Sequence, residues 1–178
     1  MKRILLAVGI LLLPRVSQAQ NYPATHCVTV SPTVTAGAYS TGQDIGGKMT
    51  FSNAVRDTRG TGFVVSVAVV DQAAQAQDME VTVFNQNPSA TTFTDNAALD
   101  IADADVPKIA AVVTLGSSTR FAYADNGIKY IGSLSLPVEA TDSAGIPSST
   151  LYVALVSRGS PTFAATTDVK VILCLSQD

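Results

Sequence analysis

Gly62-Phe63-Val64-Val65-Ser66-Val67-Ala68-Val69-Val70 is the stretch whose reading decides the fold class. It is largely apolar, rich in β-branched valine and only nine residues long. That favours a strand over a helix, and a central strand covered on both sides over an edge. Working outward, the neighbouring runs repeat every two residues. Cys27-Val28-Thr29-Val30 alternates and meets Pro32. Lys48 to Phe51 follows Gly46-Gly47, and Glu80-Val81-Thr82-Val83-Phe84 stops at the turn cluster Asn85-Gln86-Asn87-Pro88. Ile109 to Leu115, Arg120 to Tyr123, Lys129 to Val138, Thr150 to Ser157 and Asp168 to Leu175 complete the set. The last run places Val169, Val171, Leu173 and Leu175 on one face and Lys170, Ile172 and Cys174 on the other. Asp125-Asn126-Gly127 is a hairpin signal. One or two helical turns are expected, one over Ala104 to Lys108 capped by Asp103, another near Asp95 to Ala98. Phe84, Phe93, Phe121, Tyr152 and Phe163 are expected in the core. Eight or nine short strands separated by turns describe an all-β, single-domain, jelly-roll-like sandwich.

Composition bounds the function. The 178 residues are 47% hydrophobic and only 14% charged, with a formal net charge of −3. So few charges and so many apolar residues exclude intrinsic disorder. Net acidity without a Lys/Arg cluster argues against nucleic acid as a partner. One His and two Cys cannot build a Cys₄ or Cys₂His₂ zinc site.

Residues 1–19 have the three-part layout of a secretory signal. Lys2 and Arg3 precede the apolar run Ile4 to Leu13, Pro14 breaks it, and Ser17-Gln18-Ala19 offers a cleavage site. Ten residues span about 15 Å as a helix, half a bilayer core, so no stable membrane span is expected. Cleavage after Ala19 leaves residues 20–178 as the β-sandwich domain. Loss of Lys2, Arg3 and Arg15 leaves eight basic against fourteen acidic residues, a net −6. The other reading is a retained arm or an over-extended start. In an oxidising compartment Cys27 and Cys174 form a disulfide closing almost the whole mature domain, worth roughly 5 kcal/mol by chain entropy. The competing reading is two buried thiols.

The chemical motifs are thin. His26 beside Cys27 lacks a free thiolate if the bridge forms. Gly42-x-x-x-Gly46-Gly47-Lys48 has the wrong spacing for a phosphate loop. Asp95, Asp100, Asp103 and Asp105 are the densest acidic patch and weak candidates for a hard cation, with capping and side-chain turns the competing use. With no Trp and five Tyr, sugar chemistry has little support. No catalytic residue and no cofactor is expected.

Two stretches carry a family resemblance. Val83-Phe84-Asn85-Gln86-Asn87-Pro88-Ser89-Ala90-Thr91-Thr92-Phe93-Thr94-Asp95-Asn96-Ala97-Ala98 is followed by Ile101-Ala102-Asp103-Ala104-Asp105. Thr150-Leu151-Tyr152-Val153-Ala154-Leu155-Val156 is followed by Gly159-Ser160-Pro161-Thr162-Phe163-Ala164-Ala165-Thr166-Thr167-Asp168. Both resemble small all-β proteins encoded among the structural genes of tailed bacteriophages and prophages, over roughly Ser31 to Leu175. The resemblance implies a virion surface protein, a head decoration or cement component with capsid subunits as partners, itself oligomeric and without catalytic residues. The export signal and the cysteine pair depart from that pattern. They keep a second reading open, an exported adhesion or binding module in the periplasm or outside the cell, possibly of prophage origin.

Overall fold

The computed structural model describes residues 24–56 and 60–177, and its strands pair from the ends of the sequence inward. The first six strands are β1 (Ala24–Val30), β2 (Gly37–Ala38), β3 (Met49–Phe51), β4 (Thr61–Asp71), β5 (Met79–Phe84) and β6 (Ile109–Leu115). The other six are β7 (Arg120–Ala122), β8 (Gly127–Ile131), β9 (Leu136–Glu139), β10 (Leu151–Ser157), β11 (Thr162–Phe163) and β12 (Val169–Gln177). All pairings are antiparallel: β1 with β12, β3 with β10, β4 with β8 and β9, and β5 with β6. The result is one sheet in the order β1-β12-β4-β8-β7, with β9 beside β4, facing a second in the order β3-β10-β5-β6. First-with-last nesting split over two sheets is the jelly-roll arrangement. The expected residues 1–19 signal lies outside the described residues. Among those residues, no helix is long and apolar enough to cross a membrane.

The core lies between the sheets. Val64, Val67 and Val69 of β4 and Val171, Leu173 and Leu175 of β12 meet Val81, Val83, Val153 and Leu155 from the other side. Val64 and Val67 both point inward although three residues apart. The ladder with β12 shifts register between Cys174 and Leu175, and Val65 is the residue left over. β4 is central, as expected, but only its inner face is covered by a second layer; Phe63 on the outer face is 41% exposed.

Several local expectations change. Lys129 to Val138 is not one strand: β8 and β9 run in line along the same edge of β4, broken at Gly132-Ser133, where Ser133 has φ 57°. Asp125-Asn126-Gly127 does join a hairpin, yet neither Asn126 nor Gly127 has a positive φ; the Tyr123 N–H bonds Asn126 O at 2.7 Å and closes a wider loop. The short helix is a single 3-10 turn, Val106–Lys108, with Asp105 rather than Asp103 at its N-terminus and Pro107 inside it. The two-residue strands β2 and β11 are too short to show a period. Phe121 is 59% exposed, and Tyr39 and Phe51 take core positions instead, Tyr39 edge-on to Phe163 at 5.3 Å.

Glycine decides one turn. Gln43 to Ile45 pair with β10, as Met49 to Phe51 do, and the chain kinks between them. Gly46 and Gly47 sit at φ +82° and +70°, a region costly for side chains, and a Cβ on Gly46 would collide with the Pro32 ring.

Candidate functional site

The four acidic residues flagged by the sequence do not converge. Asp95 fastens the segment before β3. Its Oδ1 accepts from the Tyr39 hydroxyl at 2.7 Å and Gly46 N–H at 2.6 Å; its Oδ2 accepts from the Thr35 N–H and hydroxyl, both at 2.6 Å. Burial alone would raise its pKa, but the Thr35 and Tyr39 hydrogen bonds win and hold it below the usual value. Asp105 is buried. Its Oδ2 accepts from Ala90 N–H, Thr91 N–H and the Thr91 hydroxyl, and its Oδ1 pairs with Lys108 at 2.8 Å. Burial again pushes upward, and Lys108 and Thr91 outweigh it, bringing the group to about 2. Asp100 and Asp103 are exposed. Asp100 lines an open cavity of about 450 Å³ with Thr91, Thr92, Thr94 and Ala97. Among the described residues, no three His, Cys, Asp or Glu side chains gather as metal ligands. Asp95 and Asp105 are long-range ties for the loop rather than the helix caps and local side-chain turns of the competing reading.

Cys27 and Cys174 lie directly opposite in the β1–β12 register and are bonded, with S–S 2.02 Å. They sit on the outer face of their sheet, on the side of β12 the alternation assigned to Cys174. His26 is exposed on the edge strand.

Three buried polar groups carry no signal in the sequence. Asp44 is fully buried, and neither carboxylate oxygen has a hydrogen-bond partner. Desolvation first, and the charge of Asp95 second, push it up to about 7. Asp71 and Lys129, both buried, approach to 3.9 Å at the end of β4. Burial raises the Asp71 pKa against the pull of the Ala73 N–H and Lys129, and burial lowers that of Lys129 against the pull of Asp71. Lys129 Nζ donates to Gln75 O at 2.7 Å and Arg120 Nη2 to Ala74 O at 2.6 Å, so the pair anchors the crossover from β4 to β5. In Gly127-Ile128-Lys129-Tyr130-Ile131 either face could be the inner one, and the sequence does not reveal that the lysine faces inward.

The surface feature that stands out is the outer face of the first sheet. Its outward side chains include Phe63, Tyr130 and Phe121, at 41, 46 and 59% exposure. Phe121 pairs with Ile128 across β7–β8, and Tyr130 with Ala68 across β8–β4. The outward positions of β1, β12, β4 and β8 hold one charged side chain, Lys170, and no carboxylate. Beside Phe63, an open groove of about 460 Å³ is lined by Thr61, Asn85, Pro137 and Glu139. A broad, weakly charged, partly aromatic sheet face suits contact with protein.

No family model matches the chain, and no curated protein matches it. Among solved structures, the chain is similar to a protein of the T13 particle of infectious bursal disease virus, at 11% identity and TM-score 0.37. That likeness covers 96% of this chain but 35% of the other, so this chain spans about a third of that protein. It is also similar to desmodium yellow mottle tymovirus (16% identity, TM-score 0.27, 99% of this chain and 92% of that one). A third likeness is to the empty head of turnip yellow mosaic virus (14%, 0.26, 99% and 89%). No residue of this chain takes a role from them.

Proposed function

We propose that this chain is a non-enzymatic structural protein of a virion, a capsid decoration or cement component of a tailed bacteriophage that binds other coat subunits. The observation that carries the reading is where the two family-like stretches lie. Thr150 to Val156 holds all of β10 but its last residue, in the middle of the second sheet, and Asn85 to Asp105 runs over the outer face of that same sheet. Two stretches distant in sequence and similar to one family thus belong to one structural unit. The jelly-roll order, which viral coat domains share with lectins and cupins, is compatible with the role but does not select it.

Co-sedimentation of the purified protein with particles lacking it tests the reading. Saturable, stoichiometric recovery with the particles is the expected result. Recovery only in the supernatant overturns it.

One observation favours a second reading. The Cys27–Cys174 bond suits an oxidising space, either the surface of a released particle or the outside of an exporting cell. In the exported reading residues 1–19 are removed and residues 20–178 form an adhesion or binding module. The intact mass of native protein separates the two. A mass starting at Gln20, two hydrogens light, supports export, and a retained Met1 supports cytoplasmic assembly on a head.

A further inference from the structure

We propose that the outer face of the β1-β12-β4-β8-β7 sheet is a homotypic interface, on which a second copy of this chain packs sheet against sheet. The occupant follows from the charge distribution. The chain is acidic, and two like-charged copies repel over most of their surfaces. Most acids of the described residues lie elsewhere: Glu80 on the second sheet, Asp95, Asp100, Asp103 and Asp105 in the loop over it, Asp125 and Asp142 in turns; Glu139 of β9, in register with Thr61, is an exposed carboxylate at the rim of the face. Outward positions of β1, β12, β4 and β8 carry Lys170 and no carboxylate. Two copies meeting there keep most of their acids apart, Glu139 lying at the rim, and bring Phe63, Tyr130 and Ile128 together.

Size sets the strength. Four strands about 4.8 Å apart and about seven residues long present a face of roughly 450 Å², or about 900 Å² for the pair. That is below the size of a standard specific interface, so self-association is weak for free protein and strengthened where copies are held side by side. Sheets stacked about 10 Å apart within 30° of alignment would interdigitate the aromatic rings. The proposal does not depend on the virion reading, since it needs only a second copy.

Sedimentation velocity on the full disulfide-bonded chain, across concentrations from about 1 to about 300 μM, tests it. The mass is expected to rise from one copy towards two, and more readily at higher salt, which screens the net acidity. Tyr130→Asp is expected to weaken dimerisation at least tenfold with unchanged thermal unfolding. Val112→Asp, on an exposed position of the second sheet, should leave it unchanged. Three results overturn the proposal: one copy at every concentration, a dimer indifferent to Tyr130→Asp, or a dimer lost with Val112→Asp. If Tyr130→Asp abolishes particle binding while the wild type is monomeric, the face belongs to a different protein and the homotypic assignment fails.

Discussion

On the β3-β10-β5-β6 sheet the outward residues Thr82, Phe84, Ala154 and Val156 are all under 5% exposed, whereas outward Phe63, Tyr130 and Phe121 on the other sheet are each over 40% exposed. The difference is one loop. Residues 85–105 cross the first of these faces, where Phe93 meets Phe84 edge-on at 6.1 Å and Lys48 reaches the rings of Phe93 and Tyr152. No described segment crosses the other. Within one sandwich, the same class of outward aromatic is therefore a core residue on one sheet and an interface candidate on the other. Strand alternation alone does not distinguish them, because both lie on the side away from the central core.

The largest expected effect breaks the covered face. Phe84→Ala removes a fully buried ring and leaves a cavity beneath Phe93. It should cost about 3–5 kcal/mol in urea unfolding. A cost below about 1 kcal/mol would mean that the loop is a loose flap and that the two faces are equivalent.

Next comes the disulfide, which lies on the naked face and ties the edge strand β1 to β12. The Cys27→Ser/Cys174→Ser double variant opens a loop with a sequence separation of 147. It should lose about 2–4 kcal/mol, measured by denaturation without reductant. The loss should come with faster hydrogen exchange in β1, while the covered sheet stays protected until global unfolding.

A smaller effect sharpens the covered side through pH. Asp44 lies between that face and its loop, where the Asn96 N–H bonds Asp44 O and the Asp44 N–H bonds Ala97 O. Its pKa is raised from 3.8 to about 7 on folding. The folded chain therefore holds a proton that the unfolded chain releases. The stability this supplies is complete below about pH 3.8 and is lost as pH rises through about 7. Asp71 has the same sign, whereas Asp95 and Asp105, both lowered, lose their contribution only as pH falls below 3.8. Asp44→Asn should be the more stable protein at pH 8 by on the order of 1–2 kcal/mol, with the gain shrinking towards pH 4. An equal difference at both pH values would remove Asp44 as the cause.

The sequence revealed the fold because strand periodicity is a local property. Val169 to Leu175 alternates, and its inner and outer faces follow directly. Pairing the first strand with the last was legible only through Cys27 and Cys174, since no other residue pair advertises a long-range contact. The candidate site was less legible for two reasons. Asp44 and Lys129 are buried by neighbours 50 or more residues away in sequence, and polarity by itself points such residues outward. Phe121 shows the converse: an aromatic in an alternating run looks like core unless the missing layer above it is known.

The smallest effect is the one that most directly separates the two faces. Phe121→Ala, at 59% exposure on the short edge strand β7, gives up little burial in the isolated chain. Its cost in urea unfolding at low protein concentration should stay within about 0.5 kcal/mol, roughly a tenth of that at Phe84. At concentrations where copies associate, or on a particle, the same substitution should become visible, because the ring then loses contacts that only a partner supplies. The cost should thus grow with concentration for Phe121→Ala and stay constant for Phe84→Ala. A Phe121 cost that is already large at low concentration would place the ring inside the monomer's own packing and remove the naked face as an interface.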